Sequence, residues 1–566
     1  MTELAKSRGI RLCLGRSIRL ILTFDVVTFT LVASTSVGIT TATQSAAQET
    51  GIIAGAVAAT RDARMLDLQS QAVAAPGYSN GNYAYLDSFG AVSNASPMVP
   101  GSCTTTPFTL TSFSPSTNFG YSYLRVTLTA DTFCGSTPYT TTWTFGDLNS
   151  SIQTAANISG SIDGRAYADF IYNHTYTYIG SFVPQVSITD GASVKVSGSV
   201  PIYVSFAPSL FYSFYNESGL IGQGLTGSKY SIGLAEECDK NINNETNVYK
   251  VDLRTFDTTF SLTNPTLNFF YSGGSSCTST GSIWSPLETE LDIEWAHVAA
   301  PGAKIYVCLD TLDTYAGLQG CDTTFYNNRN SSADNTMIVS NSFGECAVSG
   351  PYLTTPSCTN AVDPYAATWS SAKSAGMNLL ASTGDWLPNS ICDLANYPAS
   401  NPYGVAVGGT TITSVSPTGS YGSETPWVST TTGQQCTYKV GGNQVGSNGK
   451  EGETYGTNSY YSAPSWQTTL LSNSNRYFPD VSMIGNQSVG VPIISQGVWY
   501  IVGGTSVGSP VWAGILDMLF QAGAPGLSGF AAPFLYSYPA CFHEVMNPAG
   551  ARDGLGTPNV GCLAAA

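Results

Sequence analysis

Ser506 lies in a sequence setting that favours nucleophilic chemistry. It follows a double glycine in the stretch 503–520, and an apolar segment begins at Pro510. A segment that is apolar on nearly every side is predicted to form a buried helix, and a serine at its start lies beside free backbone amides and a positive partial charge. The alternative is that Ser506 only caps the helix, which is a common role for serine.

Two carboxylates, Glu288 and Asp292, are four residues apart in the segment 285–299, where apolar residues recur at helical spacing. They are predicted to lie on one face of a helix, where mutual repulsion and partial burial raise at least one pKa. A carboxylate with a suitable pKa can accept the proton of a serine hydroxyl. The alternative is structural: Ser285 and Glu288 have the spacing of a capping box, and Asp292 would then be solvated.

Further candidate residues lie at the ends of predicted strands. Asp385 follows an apolar run that ends at Thr383, and Ser342, Phe343 and Gly344 lie at the end of another run. Functional sites in parallel α/β sheets lie at the carboxyl ends of the strands. An aspartate in such a position is otherwise a turn former.

Two different patterns predict the elements that position these residues. Beyond Phe206, short continuous apolar runs at 304–309, 335–342 and 376–383 are separated by helical segments, which predicts buried parallel strands of an α/β sheet. From Cys103 to Phe206 the runs are short, alternating and rich in Thr, Val, Tyr and Ser. That second pattern predicts an antiparallel sandwich.

The composition argues against some partners. Only 10% of the 566 residues are charged and the formal net charge is -16, so we expect no nucleic-acid or anionic-membrane partner. With few Lys and Arg, the chain loses most of its net charge once its carboxylates are protonated. We therefore expect it to tolerate acid.

The N-terminal residues predict export. Basic side chains are concentrated in 1–19, residues 20–39 are largely apolar, and small residues follow up to Ala47. This is the pattern of a signal peptide cleaved near Ala47. Because the apolar part is long, an uncleaved membrane anchor is the alternative, and the predicted location is secreted or extracellular and surface-attached.

The cysteines predict disulfides. There are 13 in the chain, and all except Cys13 follow the N-terminal segment. No spacing typical of a zinc site is present, so disulfide pairing is the better interpretation. Sequence neighbours are the expected partners, in particular Cys103 with Cys134 and Cys541 with Cys562.

Taken in chain order, the candidate motifs resemble those of one family. Glu288 with Asp292, then SNSFG (340–344), STGDW (382–386) and GGTSVGSP (503–510), resemble the sedolisin family of serine-carboxyl peptidases. The resemblance extends over about 206–559. It implies an α/β subtilisin-like catalytic domain with a mostly parallel sheet, secretion, and cleavage of proteins or peptides in acid.

The resemblance also implies a role for each candidate residue. Four would be catalytic: Ser506 as the nucleophile, Glu288 as the base, Asp292 as its orienting partner and Asp385 as the acid that stabilises the oxyanion. Three would line the substrate pocket: Ser342, Phe343 and Gly344. These roles are chemically coherent, because a carboxylate can still accept a proton in acid whereas a histidine base would be protonated, and a protonated aspartate can donate a hydrogen bond to an oxyanion.

One structural Ca²⁺ is a further implication, since family members usually bind calcium near the C-terminus. The possible ligands in this chain are Glu544, Val545 and Asp553, and hard oxygen ligands suit calcium. The loop here is short, so a disulfide between Cys541 and Cys562 could stabilise it instead. No metal or other cofactor is expected in the chemical step.

The N-terminal part carries a second resemblance. Within it, TWTFGD (142–147), NHTYTYIGSF (173–182) and VSITD (186–190) resemble the polycystic-kidney-disease (PKD) domain, an immunoglobulin-like module. The predicted organisation is 1–47 signal peptide or membrane anchor, 48–100 linker or pro-segment remnant, 101–206 PKD-like β-sandwich and 207–566 sedolisin-type peptidase domain.

Two alternatives to the carboxylate mechanism stay open. His297 lies on the predicted helix of Glu288 and Asp292, so a subtilisin-type enzyme that uses His297 is one. The other is a non-catalytic surface or adhesion protein with a retired peptidase fold, although the presence of all four catalytic residues favours a working enzyme. A monomer that acts on protein or peptide substrates is the expected form.

Overall fold

The computed structural model describes residues 107–566, with Cys103 and two short strands near the N-terminus, except for the positions 117–118, 122–123, 148, 155, 163–164, 178, 279–284, 312–313, 332–334, 348–362, 364, 388–394, 417 and 441–442. The chain divides into two compact units, Met1–Ala63 and Arg64–Ala566. In the first unit, β1 (Ile18–Ile21) and β2 (Thr30–Ala33) pair in an antiparallel hairpin. The rest of the predicted signal segment, like the predicted linker 48–100, lies outside the described residues. Within the described residues, no helix is both long enough and apolar enough to cross a membrane.

Two four-stranded antiparallel sheets lie between Thr109 and Ser199. The strands of this part are β3 (Thr109–Pro115), β4 (Phe119–Tyr121), β5 (Leu124–Phe133), β6 (Thr140–Thr144), β7 (Ser150–Gln153), β8 (Ile158–Ile162), β9 (Arg165–Tyr176), β10 (Gly180–Phe182), β11 (Gln185–Thr189), β12 (Lys195–Ser199) and β13 (Ile202–Ser205). The sheet orders are β3-β5-β9-β8 and β12-β11-β6-β7, and β10-β13-β4 form a small third sheet. Alternate side chains such as Val126, Trp143 and Ile188 point into one shared apolar core.

The residues that resemble a PKD domain make a local cluster in this part. Nε2 of His174 on β9 lies 2.7 Å from Oδ2 of Asp147, and the His174 ring stacks on Phe145 with the ring centroids 3.9 Å apart. His174 therefore connects two strands and has a structural explanation. The likeness to PKD domains stays a prediction.

The part of the chain beyond Phe206 contains an eight-stranded, mostly parallel sheet. Its helices are α1 (Pro208–Phe214), α2 (Ser218–Gly222), α3 (Glu245–Phe260), α4 (Ser285–Ala299), α5 (Tyr315–Asn328), α6 (Ala366–Ser374), α7 (Gly508–Ala522), α8 (Ala532–Ser537) and α9 (Val560–Ala565), with 3₁₀ turns at Thr505–Val507 and Pro539–Cys541. Its strands are β14 (Ser231–Glu237), β15 (Leu267–Ser272), β16 (Lys304–Asp310), β17 (Thr336–Asn341), β18 (Glu345–Ala347), β19 (Asn378–Ser382), β20 (Ala395–Tyr397), β21 (Val405–Val415), β22 (Tyr421–Pro426), β23 (Val428–Val440), β24 (Asn443–Gly452), β25 (Gly456–Ser462), β26 (Asn475–Phe478), β27 (Val481–Ile484), β28 (Val491–Ser495), β29 (Val498–Val502), β30 (Phe542–His543) and β31 (Thr557–Pro558).

The main sheet has the strand order β15-β16-β14-β17-β19-β21-β22, and β27 also pairs with β21. Only β22 runs antiparallel to its neighbour; the other pairings of this sheet are parallel. Successive side chains alternate between two cores, so that Ile338 packs with α4 and α7 whereas Val339 packs with α5 and α6. The predicted α/β class with a mostly parallel sheet is confirmed, and three of the apolar runs became β16, β17 and β19.

Helices α4 and α7 pack closely on one face of this sheet. A side chain at Gly514 of α7 would meet the Cβ atom of Ala299 at 2.6 Å and the carbonyl oxygen of Ala296 at 3.1 Å, so the close approach of the two helices depends on glycine. Both helices are buried along most of their length. Helix α4 carries Glu288 and Asp292, and α7 begins two residues after Ser506, so the packing of the two helices holds these candidate residues in place.

Among the described residues, four disulfides join cysteines that are near in sequence. Cys103–Cys134 and Cys541–Cys562 confirm the two predicted pairs, and the others are Cys238–Cys277 and Cys308–Cys321. Both of these lie in the α/β part. Cys238–Cys277 joins the residue after β14 to the segment after β15, and Cys308–Cys321 joins β16 to α5. The side chains of Cys346, Cys358, Cys392 and Cys436 lie outside the described residues.

Candidate active site

Ser506 lies in a sharp turn between β29 and α7. Gly504 has φ +114° and ψ 160°, a conformation that side chains rarely adopt, and it directs the chain into the 3₁₀ turn Thr505–Val507. The following helix is buried from Gly508 to Leu519, as the apolar sequence predicts. The Ser506 hydroxyl is buried and makes no hydrogen bond within the described structure, so it does not cap the helix.

Glu288 stands on the first turn of α4, near the Ser506 hydroxyl. Burial raises the pKa of Glu288 well above its usual range, the negative charge of Asp292 adds to this effect, and the Ser506 hydroxyl opposes it. The Glu288 carboxylate and the Ser506 hydroxyl are close without meeting the geometry of a full hydrogen bond, a looseness that is common in unliganded active sites. No hydrogen bond returns from Glu288 to Ser285, so the capping box of the structural alternative is not formed.

Asp292 lies one turn further along α4 and is fully buried. The Ser342 hydroxyl is 2.9 and 2.8 Å from its two carboxylate oxygens. Burial raises the pKa of Asp292 to about 7, against the lowering effect of hydrogen bonds from Glu236, Ser342 and Ser340. The local environment therefore stabilises a negative charge at Asp292 better than at Glu288.

Glu236 is a third carboxyl group of this cluster, and the sequence arguments missed it. It lies near the carboxyl end of β14, with 3% of its surface exposed. Burial and then the negative charges of Asp292 and Glu288 raise its pKa well above the usual range. Glu236 is therefore the partner that stays protonated and donates a hydrogen bond to Asp292. The two acidic residues that end the apolar run 231–237 were a usable signal, because the strand-end rule that singled out Asp385 applies to them equally.

Asp385 follows β19 and reaches the turn that carries Ser506. Its Oδ1 atom accepts hydrogen bonds from the Thr505 N–H and from the Thr505 hydroxyl, both at 2.8 Å. The charge of Asp385 also contributes to the raised pKa of Glu288. The structure thus brings Glu288, Asp292, Asp385 and Ser506 together at one edge of the sheet.

The predicted pocket residues follow β17 beside this cluster. The Ser342 hydroxyl is directed at Asp292 and lies 3.3 Å from the Ser506 carbonyl oxygen, while the Phe343 ring packs near Tyr365. Ser342 therefore supports the carboxylate cluster directly. Its part in a substrate pocket, with Phe343 and Gly344, stays a prediction.

The predicted calcium ligands do not form a common oxygen cage. Glu544 is half-exposed and pairs with Arg552 at 3.3 Å, and the Val545 carbonyl oxygen accepts the Asp553 N–H at 2.9 Å. The Asp553 carboxyl is fully buried instead. As a set, these three residues do not fit a calcium ion.

Asp553 has other partners in the core. The Tyr477 hydroxyl donates to its Oδ1 atom at 3.0 Å, and a hydrogen bond joins its carboxyl group to that of Glu453. Among the described residues, one group of three side chains of metal-binding type comes together, Cys238, Glu245 and Cys277. Its two sulfur atoms are joined in a disulfide, so it is not a metal site.

His297 lies away from the carboxylate cluster. Its Nε2 atom is 3.2 Å from Oδ1 of Asp257 on α3, and both side chains are buried. Because it follows Glu288 by nine residues on the same helix, it is displaced by about 13 Å along the axis. The geometry gives no support to a triad of Ser506 and His297.

Comparison with known proteins gives partial matches. No known protein-family model matches the chain. The chain is 34% identical over 167 residues to sedolisin of Pseudomonas sp. (28% of this chain, 26% of the relative), and 29% identical over 275 residues to kumamolisin of Bacillus sp. (46% and 44%). The matched region thus spans less than half the length of these curated relatives.

A solved structure of Pseudomonas sedolisin, a serine-carboxyl proteinase complexed with two molecules of pseudo-iodotyrostatin, is similar in fold. The TM-score is 0.52 with 21% identity, over 64% of this chain and 97% of that chain. The α/β part therefore has the sedolisin fold.

Proposed function

We propose that this protein is a serine-carboxyl peptidase that hydrolyses peptide bonds of proteins in acid. One observation carries the proposal. The buried Ser506 hydroxyl, near the start of a helix, lies between the carboxylate pair Glu288 and Asp292 and the Asp385 carboxyl group, which is hydrogen-bonded to Thr505. This arrangement has the parts that acyl transfer needs, namely a nucleophile, a base and an oxyanion stabiliser. The relatives named above support the same chemistry.

In the proposed first step, Ser506 Oγ attacks the carbonyl carbon of the substrate. Its proton moves to Glu288 as the proton of Glu288 passes to Asp292, which receives hydrogen bonds from Ser342 and Glu236, so the pair loses its one negative charge while the oxyanion forms. Glu288 then protonates the leaving amine. Water attacks the acyl-enzyme by the same proton transfers in reverse order.

Asp385 is the proposed oxyanion acid. A carboxyl group can donate a hydrogen bond to the developing negative charge only while it is protonated. The hydrogen bond from the N–H of Thr505, which directly precedes Ser506, places Asp385 next to the nucleophile. A protonated acid and an ionised base are therefore required together.

These requirements predict a bell-shaped pH dependence of kcat/KM. On the acid side, activity needs one negative charge on the Glu288 and Asp292 pair, and because burial raises both pKa values this limb lies above the ordinary glutamate value of 4.5. On the alkaline side, activity is lost when Asp385 gives up its proton. The optimum is expected between these two limbs.

Hydrolysis of an unfolded protein substrate from acidic to neutral pH tests the proposal. Ser506→Ala, Glu288→Gln and Asp385→Ala are each expected to lower kcat/KM by about a hundredfold or more. The control Ser371→Ala changes an exposed residue of α6 and is expected to keep full activity. Loss of activity in His297→Ala with full activity in Glu288→Gln would support the subtilisin-type alternative. A folded wild-type protein that is inert at every pH would support the adhesion alternative.

The remaining features of the proposal concern the whole chain. We propose a secreted monomeric endopeptidase with a signal segment at 1–47, a linker at 48–100, a PKD-like module at 101–206 and the peptidase domain at 207–566. The shared apolar core of the two antiparallel sheets supports the module boundary. The low charge and the disulfides are consistent with an extracellular location.

A further inference from the structure

Thr505 makes two hydrogen bonds to Asp385, the proposed oxyanion acid. Its backbone N–H and its hydroxyl both donate to Oδ1 of Asp385, each at 2.8 Å. The two residues are separated by 120 positions in the chain, so this contact exists only in the folded protein. Thr505 and Asp385 are both almost completely buried.

A third hydrogen bond fixes the direction of the hydroxyl group. The Gly384 N–H donates to Thr505 Oγ1 at 3.0 Å, which occupies that oxygen as an acceptor. The single hydroxyl proton is then committed to Asp385. Because Gly384 directly precedes Asp385, the hydroxyl is held between the backbone and the side chain of one strand end.

Two donors on Oδ1 have a consequence for a protonated Asp385. An oxygen that already accepts an N–H and an O–H is a poor position for the acid proton, because the proton would face two donors. The proton is therefore carried by Oδ2. A carboxylic acid with its proton on a fixed oxygen is a directional donor, which is what an oxyanion site requires.

We propose that Thr505 is a positioning residue that assigns the acid proton of Asp385 to Oδ2 and so orients it as a hydrogen-bond donor in the active site. This inference rests on the function proposed above. Thr505 does not itself touch the reacting atoms in this scheme. It acts through Asp385, and its backbone N–H contributes one donor that side-chain substitution does not remove.

The test compares Thr505→Val with Thr505→Ser. Valine keeps the shape of the side chain and removes the hydroxyl, whereas serine keeps the hydroxyl and removes the methyl group. For Thr505→Val, kcat/KM at the optimum is expected to fall by about ten- to a hundredfold, less than the loss on removing the oxyanion donor itself. Thr505→Ser is expected to stay within about threefold of the wild type, since its hydroxyl can make the same bond.

Two readouts separate positioning from a structural effect. A peptide aldehyde, which forms a hemiacetal with a serine nucleophile, is expected to bind Thr505→Val more weakly by a factor similar to the loss in kcat/KM, with binding of the matching alcohol unchanged. The alkaline limb of the pH profile is expected to move to higher pH, because ionised Asp385 has lost a donor. The acid limb belongs to Glu288, which faces Asp385 from α4, and to Asp292, and it is expected to stay in place.

The inference is overturned if Thr505→Val retains wild-type activity, or if it loses activity with unchanged aldehyde binding and an unmoved alkaline limb. Equal losses in Thr505→Val and Thr505→Ser, with a lowered Tm in both, also count against it, since they indicate a packing role. An inert wild-type enzyme overturns the proposed function, and the inference with it. Activity in the wild type that disappears in Asp385→Ala supports the proposed function independently of the result for Thr505→Val.

Discussion

Glu236, Asp292 and Glu288 form a line of carboxyl groups in which neighbours differ in how readily they ionise. Burial raises all three pKa values, but hydrogen bonds from Glu236, Ser342 and Ser340 favour the charge at Asp292. A single negative charge in the cluster is therefore held in the middle. When Ser506 gives its proton to Glu288, the proton that Glu288 already carries can pass to this charged neighbour.

Substitution of Glu236 tests this distribution of protons. Glu236→Leu removes the donor to Asp292, so the pKa of Asp292 is expected to rise and the acid limb of the kcat/KM profile to move up by about one pH unit or more. Glu236→Gln keeps an N–H donor of the same length and is expected to leave the limb near its wild-type position. Equal shifts in the two variants would show that Glu236 does not act as a donor.

Which site residues could be predicted depended on how local their signals were. Ser506 and Asp385 each follow a pattern within a few residues, a glycine turn before an apolar helix and an apolar strand before an acid. The link between them runs through Thr505 and joins positions far apart in the chain, so the sequence alone could not reveal it. Glu236 carried the same strand-end signal as Asp385, but no recognised motif included it.

At the scale of elements, continuous apolar runs predicted β16, β17 and β19 because strands buried on both faces need apolar side chains throughout. Helix α4 was predicted from helical spacing, yet it is buried almost all round, and its polar residues Glu290 and Glu294 lie in the core. Spacing arguments assign such residues to solvent. Only the packing of α3 and β28 around α4 explains their burial.

The loop closed by Cys541 and Cys562 is the element predicted to replace calcium as a stabiliser. The cysteines are separated by 21 residues, and a disulfide that closes a loop of this size stabilises the fold by about 3 kcal/mol. A Cys541→Ser, Cys562→Ser double variant is expected to have a lowered Tm. EDTA is expected to leave the Tm of the wild type unchanged.

Thermal unfolding with and without EDTA checks this prediction. A Cys308→Ser, Cys321→Ser double variant serves as the control, because it removes a disulfide between β16 and α5 and leaves the loop closed by Cys541 and Cys562 intact. A lower wild-type Tm in EDTA, restored by added calcium, would contradict the prediction. It would then indicate a calcium site built from residues other than the predicted three.

Across the whole molecule, buried carboxyl groups couple stability to pH. Burial raises the pKa of Asp322 and of Asp517 from 3.8 to about 7. Between these values the folded state binds more protons than the unfolded state, so the free energy of unfolding falls as pH rises through this range and is greatest below it. Asp147 and Asp190, whose pKa values are lowered by hydrogen bonds, act in the opposite direction and are fewer.

We therefore expect the Tm to be higher near pH 4 than near pH 7.5. Asp322→Asn removes one contributor on the order of 4 kcal/mol and keeps an acceptor for the Trp369 N–H, which now donates to Asp322 at 2.7 Å. The variant is expected to show a smaller fall in Tm between the two pH values. A wild-type Tm that rises towards neutral pH would contradict the prediction.

The hairpin of β28 and β29 leads directly into the turn of Ser506 and is also fastened to the helix of Glu288. The Trp295 indole N–H donates to the Pro492 carbonyl oxygen at 3.0 Å, and the Ile494 N–H donates to Glu294 at 3.1 Å. The nucleophile and the base therefore separate as soon as this part of the core opens. If the protein is the proposed peptidase, a molecule that has begun to unfold, and so has become digestible, has already lost the arrangement it needs to digest its neighbours.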